Sequence, residues 1–162
     1  MPEGPIDPPQ GHMAFPGAVS LPAPVFQAML EYITRSFKAH GFTDILLLGE
    51  SGGNQRSQQA VADKLNQDWA GTDARVLHVS DYYDAAAKGG HVDLRDTSEL
   101  MAVFPRGVRS RMIGKVGTNG SATGSIGDAT GDLANLGKKF LELKIAAALV
   151  QIRRWRAEAD KK

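Results

Sequence analysis

Ile45-Leu46-Leu47-Leu48-Gly49-Glu50-Ser51-Gly52-Gly53-Asn54 is the stretch that decides the fold. An unbroken aliphatic run reads as a strand covered on both faces. It passes straight into a glycine-rich turn, and a helical stretch follows. In an open α/β sheet the crevice outside the carboxyl end of a strand is where ligands bind. The turn at 49–54 is therefore the first place to look for chemistry.

The neighbouring segments fit the same architecture. Upstream, Phe26, Leu30, Ile33 and Phe37 recur at helical spacing, with Pro24 suited to the first turn and Gly41 to the C-cap. Downstream, a helix is expected from Gln55 to Trp69, with Val61 and Leu65 inward and Gly71 closing it. Arg75-Val76-Leu77-His78-Val79 then reads as the next strand. Helix, strand, helix, strand predicts a parallel sheet with helices packed on it. The expected fold class is α/β, a three-layer α/β/α sandwich with a mainly parallel sheet.

The rest of the chain is read as part of one domain over residues 1–162. Residues 1–22 are proline-rich and form an extended lead-in, with a short strand at Val19-Ser20-Leu21. Thr97 to Phe104 reads as a short helix stopped by Pro105. Residues 114–131, rich in Gly and Ser, read as a long loop, a feature that is often functional. A final helix is expected from about Asp132 to Ala157. Leu133, Leu136, Phe140, Leu143, Ala147 and Val150 would share one face, and Arg153, Arg154 and Arg156 would sit near the negative end of the helix dipole.

Composition narrows the function classes. A chain of 162 residues can bury a real core. The formal net charge of +1 gives no reason to expect nucleic acid or an anionic membrane as partner. Cysteine is absent, so disulfides and thiolate metal sites are excluded. No apolar run approaches the roughly 20 residues needed to span a bilayer. The acidic, proline-rich start lacks the pattern of a signal peptide. A cytoplasmic protein is expected.

Five segments in order carry a resemblance. Gly11-His12-Met13-Ala14-Phe15-Pro16-Gly17-Ala18 comes first; its Gly-His-Met also matches a cloning scar, but the Phe-Pro-Gly continuation favours a natural segment. Lys38-Ala39-His40-Gly41-Phe42 precedes the strand. The turn at 49–54 is third. His91-Val92-Asp93-Leu94-Arg95-Asp96-Thr97-Ser98 is fourth, and Gly127-Asp128 with Gly137 downstream is fifth. Together they resemble the creatininase family of metal-dependent amidohydrolases, over nearly the whole chain.

The resemblance implies an activity: hydrolysis of a cyclic or linear amide C–N bond, with a divalent metal, Zn or Mn. The family pattern at the turn is Asn-Gly-His-Gly-Gly-Asn, with the His binding metal. Here Gly52-Gly53-Asn54 is kept and Ser51 stands at the His position. A serine hydroxyl stays protonated at neutral pH and is a poor ligand for a transition metal. Family members also begin with a Glu-x-His segment that supplies metal ligands, and no such segment lies near the start of this sequence. A catalytic zinc site normally takes about three protein ligands. Low metal content is therefore expected, and two alternatives stand beside the enzyme: a non-catalytic scaffold subunit, and a small-molecule or anion-binding module.

Residue by residue, the resemblance implies His91 as proton shuttle and Asp96 as a metal-site carboxylate, with Asp replacing Glu. Histidine suits proton transfer near neutrality. The alternative is that His91 merely ends a loop and Asp96 caps a helix starting at Thr97. Glu50 could add a metal ligand, or be a solvated carboxylate near a helix N-terminus. Ser51, Gly52, Gly53 and Asn54 are candidate substrate contacts, as is His12, whose other reading is an ordinary loop histidine. His78 reads as a satisfied core histidine and His40 as a helix-end residue. A Ser51–His91–Asp96 triad lacks the Gly-x-Ser-x-Gly elbow, since Gly49-Glu50-Ser51-Gly52-Gly53 is one residue out of register. The partners expected are a small-molecule amide and further copies of the chain in a homo-oligomer. The turn at 49–54 and the segment at 91–98 are expected to converge at one end of the sheet.

Overall fold

The computed structural model describes residues 4–14, 16–85, 94–109 and 133–159. They group into two compact units, one of Met1–Tyr83 with Val150–Lys162 and one of Asp84–Leu149.

The first unit holds the sheet. Helix α1 (Ala23–Ala39) carries Pro24 in its first turn and ends at His40, followed by Gly41 at positive φ. Strand β1 (Asp44–Leu47) leads through the turn into α2 (Gly52–Asp68), and β2 (Arg75–His78) runs parallel to β1, with Ile45 opposite Val76 and Leu47 opposite His78. The short helix α3 (Ser80–Asp84) follows directly. Ile45, Leu47, Val61, Ala62, Leu65, Trp69, Ala74 and Val76 form the core, with Leu30 packed against it. The α/β class and the parallel pairing are as expected.

Three local expectations are corrected. Val19-Ser20-Leu21 is not a strand. The inward face of α1 is Phe26, Leu30 and Thr34, while Ile33 and Phe37 are 46% and 45% exposed. The Thr34 hydroxyl takes its place inside by donating to the Leu30 carbonyl at 2.7 Å, one helical turn back. β1 is not covered on both faces: Ile45 and Leu47 are buried, Leu46 is 43% exposed, and Leu48 just beyond the strand is 51% exposed.

The outer edge of β2 is closed by side chains. Val76 N–H donates to Asn66 Oδ1 at 2.8 Å, and Asn66 Nδ2 donates to the Val76 carbonyl at 2.8 Å. Gln151 Nε2 donates to the His78 carbonyl at 3.2 Å. An amide imitates a neighbouring strand, which answers the liability of an open edge.

The second unit contains α4 (Leu94–Val103) and the first part of α5 (Leu133–Ala159), whose last residues belong to the first unit. α4 begins three residues before the expected Thr97. In α5 the buried positions are Leu133, Gly137, Lys144, Ala148 and Gln151, whereas Leu143 and Val150 are 57% and 60% exposed. The inward face is thus rotated from the one that apolar periodicity marks. Gly137 explains part of the rotation: a β-carbon there would lie 1.8 Å from the Ser98 carbonyl oxygen of α4. The two backbones touch because the side chain is missing. Lys144 enters the same face and meets Glu99 at 2.8 Å. The loop expected at 114–131 lies outside the described residues. No helix among the described residues is long and apolar enough to cross a membrane.

Candidate functional site

The site candidate in the first unit is built from the carboxyl ends of β1 and β2. The inward face of α2 is apolar at Val61, Ala62 and Leu65 but polar in its first turns, where Asn54, Ser57 and Gln58 are buried. Positions 51, 54, 55 and 58 lie on one side of a helix. The core therefore turns polar at the end where an α/β sheet binds ligands.

Gln55 ties the turn to β2. Its Nε2 donates to the carbonyls of Gly49 and Ser51, both at 2.9 Å. That fixes its Oε1, which faces His78 Nε2 at 2.8 Å. Gln59 Nε2 donates to Asp63 at 2.8 Å, leaving its Oε1 toward His78 Nδ1 at 3.1 Å. Both ring nitrogens of this buried histidine face glutamine oxygens, so the ring is held from two sides. His78 is the satisfied core histidine that was expected. The expectation missed that it anchors the turn. The signal lay in Gln55 and Gln59, four residues apart on one helix.

The turn is tight because it lacks side chains. A β-carbon on Gly49 would come within 2.5 Å of Gln58 Nε2, and one on Gly52 within 2.7 Å of the Tyr83 hydroxyl. Ser51 occupies the N-cap of α2 with extended backbone, but its side chain makes no capping hydrogen bond. Asn54 Oδ1 and Gln58 Oε1 are buried with no hydrogen-bond partner among the described residues.

The other candidates are placed as follows. Glu50 is exposed. His12 is half-buried in a 3-10 turn, Gly11–Ala14, of the first unit. Asp96 belongs to the second unit and sits in the first turn of α4, not at a cap before Thr97. Its Oδ1 accepts from Arg95 at 3.1 and 3.3 Å, and that guanidinium is itself buried. His91, and with it the convergence of 91–98 on Ser51, lies outside the described residues.

These donors do not fit a transition-metal ion. The hydroxyl at position 51 stays protonated, and the Asp96 carboxylate is already matched by a cation. No group of three or more His, Cys, Asp or Glu among the described residues could hold a metal. What the turn does offer is hydrogen bonding. Gly52 and Gly53 N–H groups open a helix and have no intrahelical acceptor, and the same helix carries two orphaned amide oxygens in its first two turns.

Among curated proteins nothing matches the chain. A solved structure, a mutant creatininase, is similar in fold at TM-score 0.67 and 19% identity, covering 94% of this chain and 72% of that one. Residues 1–152 match the family described as creatininase, creatinine amidohydrolase. The chain belongs to the creatininase family.

Proposed function

We propose that this protein hydrolyses the C–N bond of a small cyclic or linear amide, as a creatininase-type amidohydrolase. Family membership over 1–152 carries the general class. The buried polar end of the α2 face supports the turn at 49–54 as the place where substrate is held, through Ser51, Gly52, Gly53 and Asn54, with His12 as a further contact. His91 is the proton shuttle in this reading. Asp96 and Glu50 are its carboxylates. The family is generally metal-dependent, and Zn or Mn is the cofactor proposed. Because the described residues do not hold such an ion by themselves, the reading requires donors from outside them. A cytoplasmic homo-oligomer is part of the same proposal, and the exposed Val25, Met29, Ile33 and Phe37 of α1 favour self-association.

A second reading, a non-catalytic scaffold that keeps the family fold, is favoured by Ser51 and by the Arg95–Asp96 pair. Asp96→Ala separates the two. If Asp96 is a ligand, Zn²⁺ affinity measured by titration calorimetry drops. A purely structural first-turn carboxylate predicts unchanged Zn²⁺ affinity and a stability loss of about 0.3–1 kcal/mol.

A further inference from the structure

We propose that Asn54 Oδ1 and Gln58 Oε1 form an N–H-accepting subsite that selects a neutral ligand carrying an –NH₂ group, a primary amide or ureide, at the turn between β1 and α2. The inference rests on the amidohydrolase reading and names two residues that decide which amides enter. Asn54 is 7% exposed and Gln58 4% exposed, yet neither side-chain oxygen has a partner among the described residues. Buried polar atoms are nearly always paired, so an orphan calls for an explanation. Two on one helix face, at i and i+4, call for a shared one.

The place points to a ligand. Side chains on a helix lean toward its N-terminus, and the Gln58 amide reaches back to lie against Gly49 in the turn itself. A β-carbon at position 49 would collide with that amide, so the glycine lets Gln58 reach the turn. The chemistry of the surroundings selects the ligand class. Carbonyl oxygens accept hydrogen bonds, so an anion is repelled. A cation is disfavoured by the positive end of the α2 dipole. A neutral N–H donor remains. Two accepting oxygens match the two hydrogens of one –NH₂ group. The ligand's own carbonyl finds complementary donors at the same helix end, in the free N–H groups of Gly52 and Gly53.

The test uses the full chain, with acetamide and N,N-dimethylacetamide as probes. Binding is followed by NMR through the side-chain amide signals of Asn54 and Gln58. The proposal expects acetamide to shift both signals and to bind about ten-fold more tightly than the dimethylated amide, the difference one well-made buried hydrogen bond makes. Gln58→Met keeps length and volume, removes the acceptor, and should abolish that preference while leaving the melting temperature unchanged or higher. Equal binding of the two amides, binding of neither, or a preference that survives Gln58→Met overturns the proposal and leaves the oxygens to a bound water only. Hydrolysis is scored separately by release of ammonia or amine. Selective binding without turnover keeps the subsite and defeats the amidohydrolase reading. Turnover without selectivity does the reverse.

Discussion

At the scale of single residues, His78 is the joint between scaffold and turn. It ends β2, and Gln55 passes its position on to Gly49 and Ser51. Replacing His78 by Leu leaves Gln55 Oε1 without its partner. The expected cost is about 1–3 kcal/mol, the desolvation of an unmatched polar group. A double-mutant cycle with Gln55→Leu, read by denaturant unfolding, should show clear coupling; strictly additive losses would deny the joint. The turn itself was legible in the sequence, but its tie to His78 was not. The Gly-rich turn and Asn54 stand out by position, and the polar residues 54 and 58 continue the spacing of Val61 and Leu65. Their lack of partners was not legible, because it depends on what surrounds them in three dimensions. Ser51 was legible as a departure, and the structure adds that its hydroxyl does not cap the helix it precedes.

At the scale of elements, α1 and α2 are joined by a surface network. Lys64 and Arg35 both reach Glu31 and Asp68. Hydrogen bonds from Lys64 first, and then Arg35, hold the Glu31 and Asp68 carboxyls below the usual range. Bonds to Glu31 and then Asp68 raise Lys64 and Arg35 above theirs. Lowered folded values mean that the carboxylates add stability above their unfolded values and lose it as pH falls through the folded ones, below about pH 4. The raised cations give the opposite window: their part is complete below their unfolded values and fades only in strong alkali. Lys64→Met should therefore destabilise the protein at pH 7 and 50 mM salt, by an amount that shrinks progressively as the pH falls below about 4. A constant difference across that range in urea unfolding would refute the network's role. Added salt should shrink the pH 7 effect, since these side chains are largely solvated.

The α4–α5 contact makes a sharper element-scale prediction. Gly137→Ala places a methyl group where the Ser98 carbonyl stands. The helices must separate, and Lys144, fully buried against Glu99, loses its setting. Overpacking of this kind costs about 1–3 kcal/mol, measurable as a lowered urea midpoint; a neutral or stabilising effect would show that the two backbones do not meet. Periodicity alone misassigned this face of α5. It weights Leu143 and Val150 above glycine and lysine, whereas close backbone approach and a buried ion pair decide the packing. The inward face of α1 was misread for a related reason, since a threonine that bonds its own helix can be buried in place of Ile33. By contrast, β1, α2 and β2 were legible within a few residues, because an aliphatic run, a glycine turn and a second aliphatic run leave few alternatives.

At the scale of the whole molecule, the chain has the creatininase fold and family but an altered turn at the position where the resemblance puts a metal ligand. The order of five weak motifs made the family legible, since no single motif could. The state of the candidate site was not legible in the same way, because it depends on which donors meet in space. The described donors do not suffice for a metal, and the carboxyl end of the sheet keeps a buried polar lining at Asn54, Ser57 and Gln58. The most direct measurement is amide hydrolysis by the full, tag-free chain supplied with Zn²⁺ or Mn²⁺, followed as release of amine or ammonia from a lactam and from a linear primary amide. The amidohydrolase reading predicts little metal as isolated, turnover once an ion is supplied, and loss of that turnover in Asp96→Ala. A folded protein that releases nothing from either amide with either ion present would contradict it and leave the scaffold reading standing.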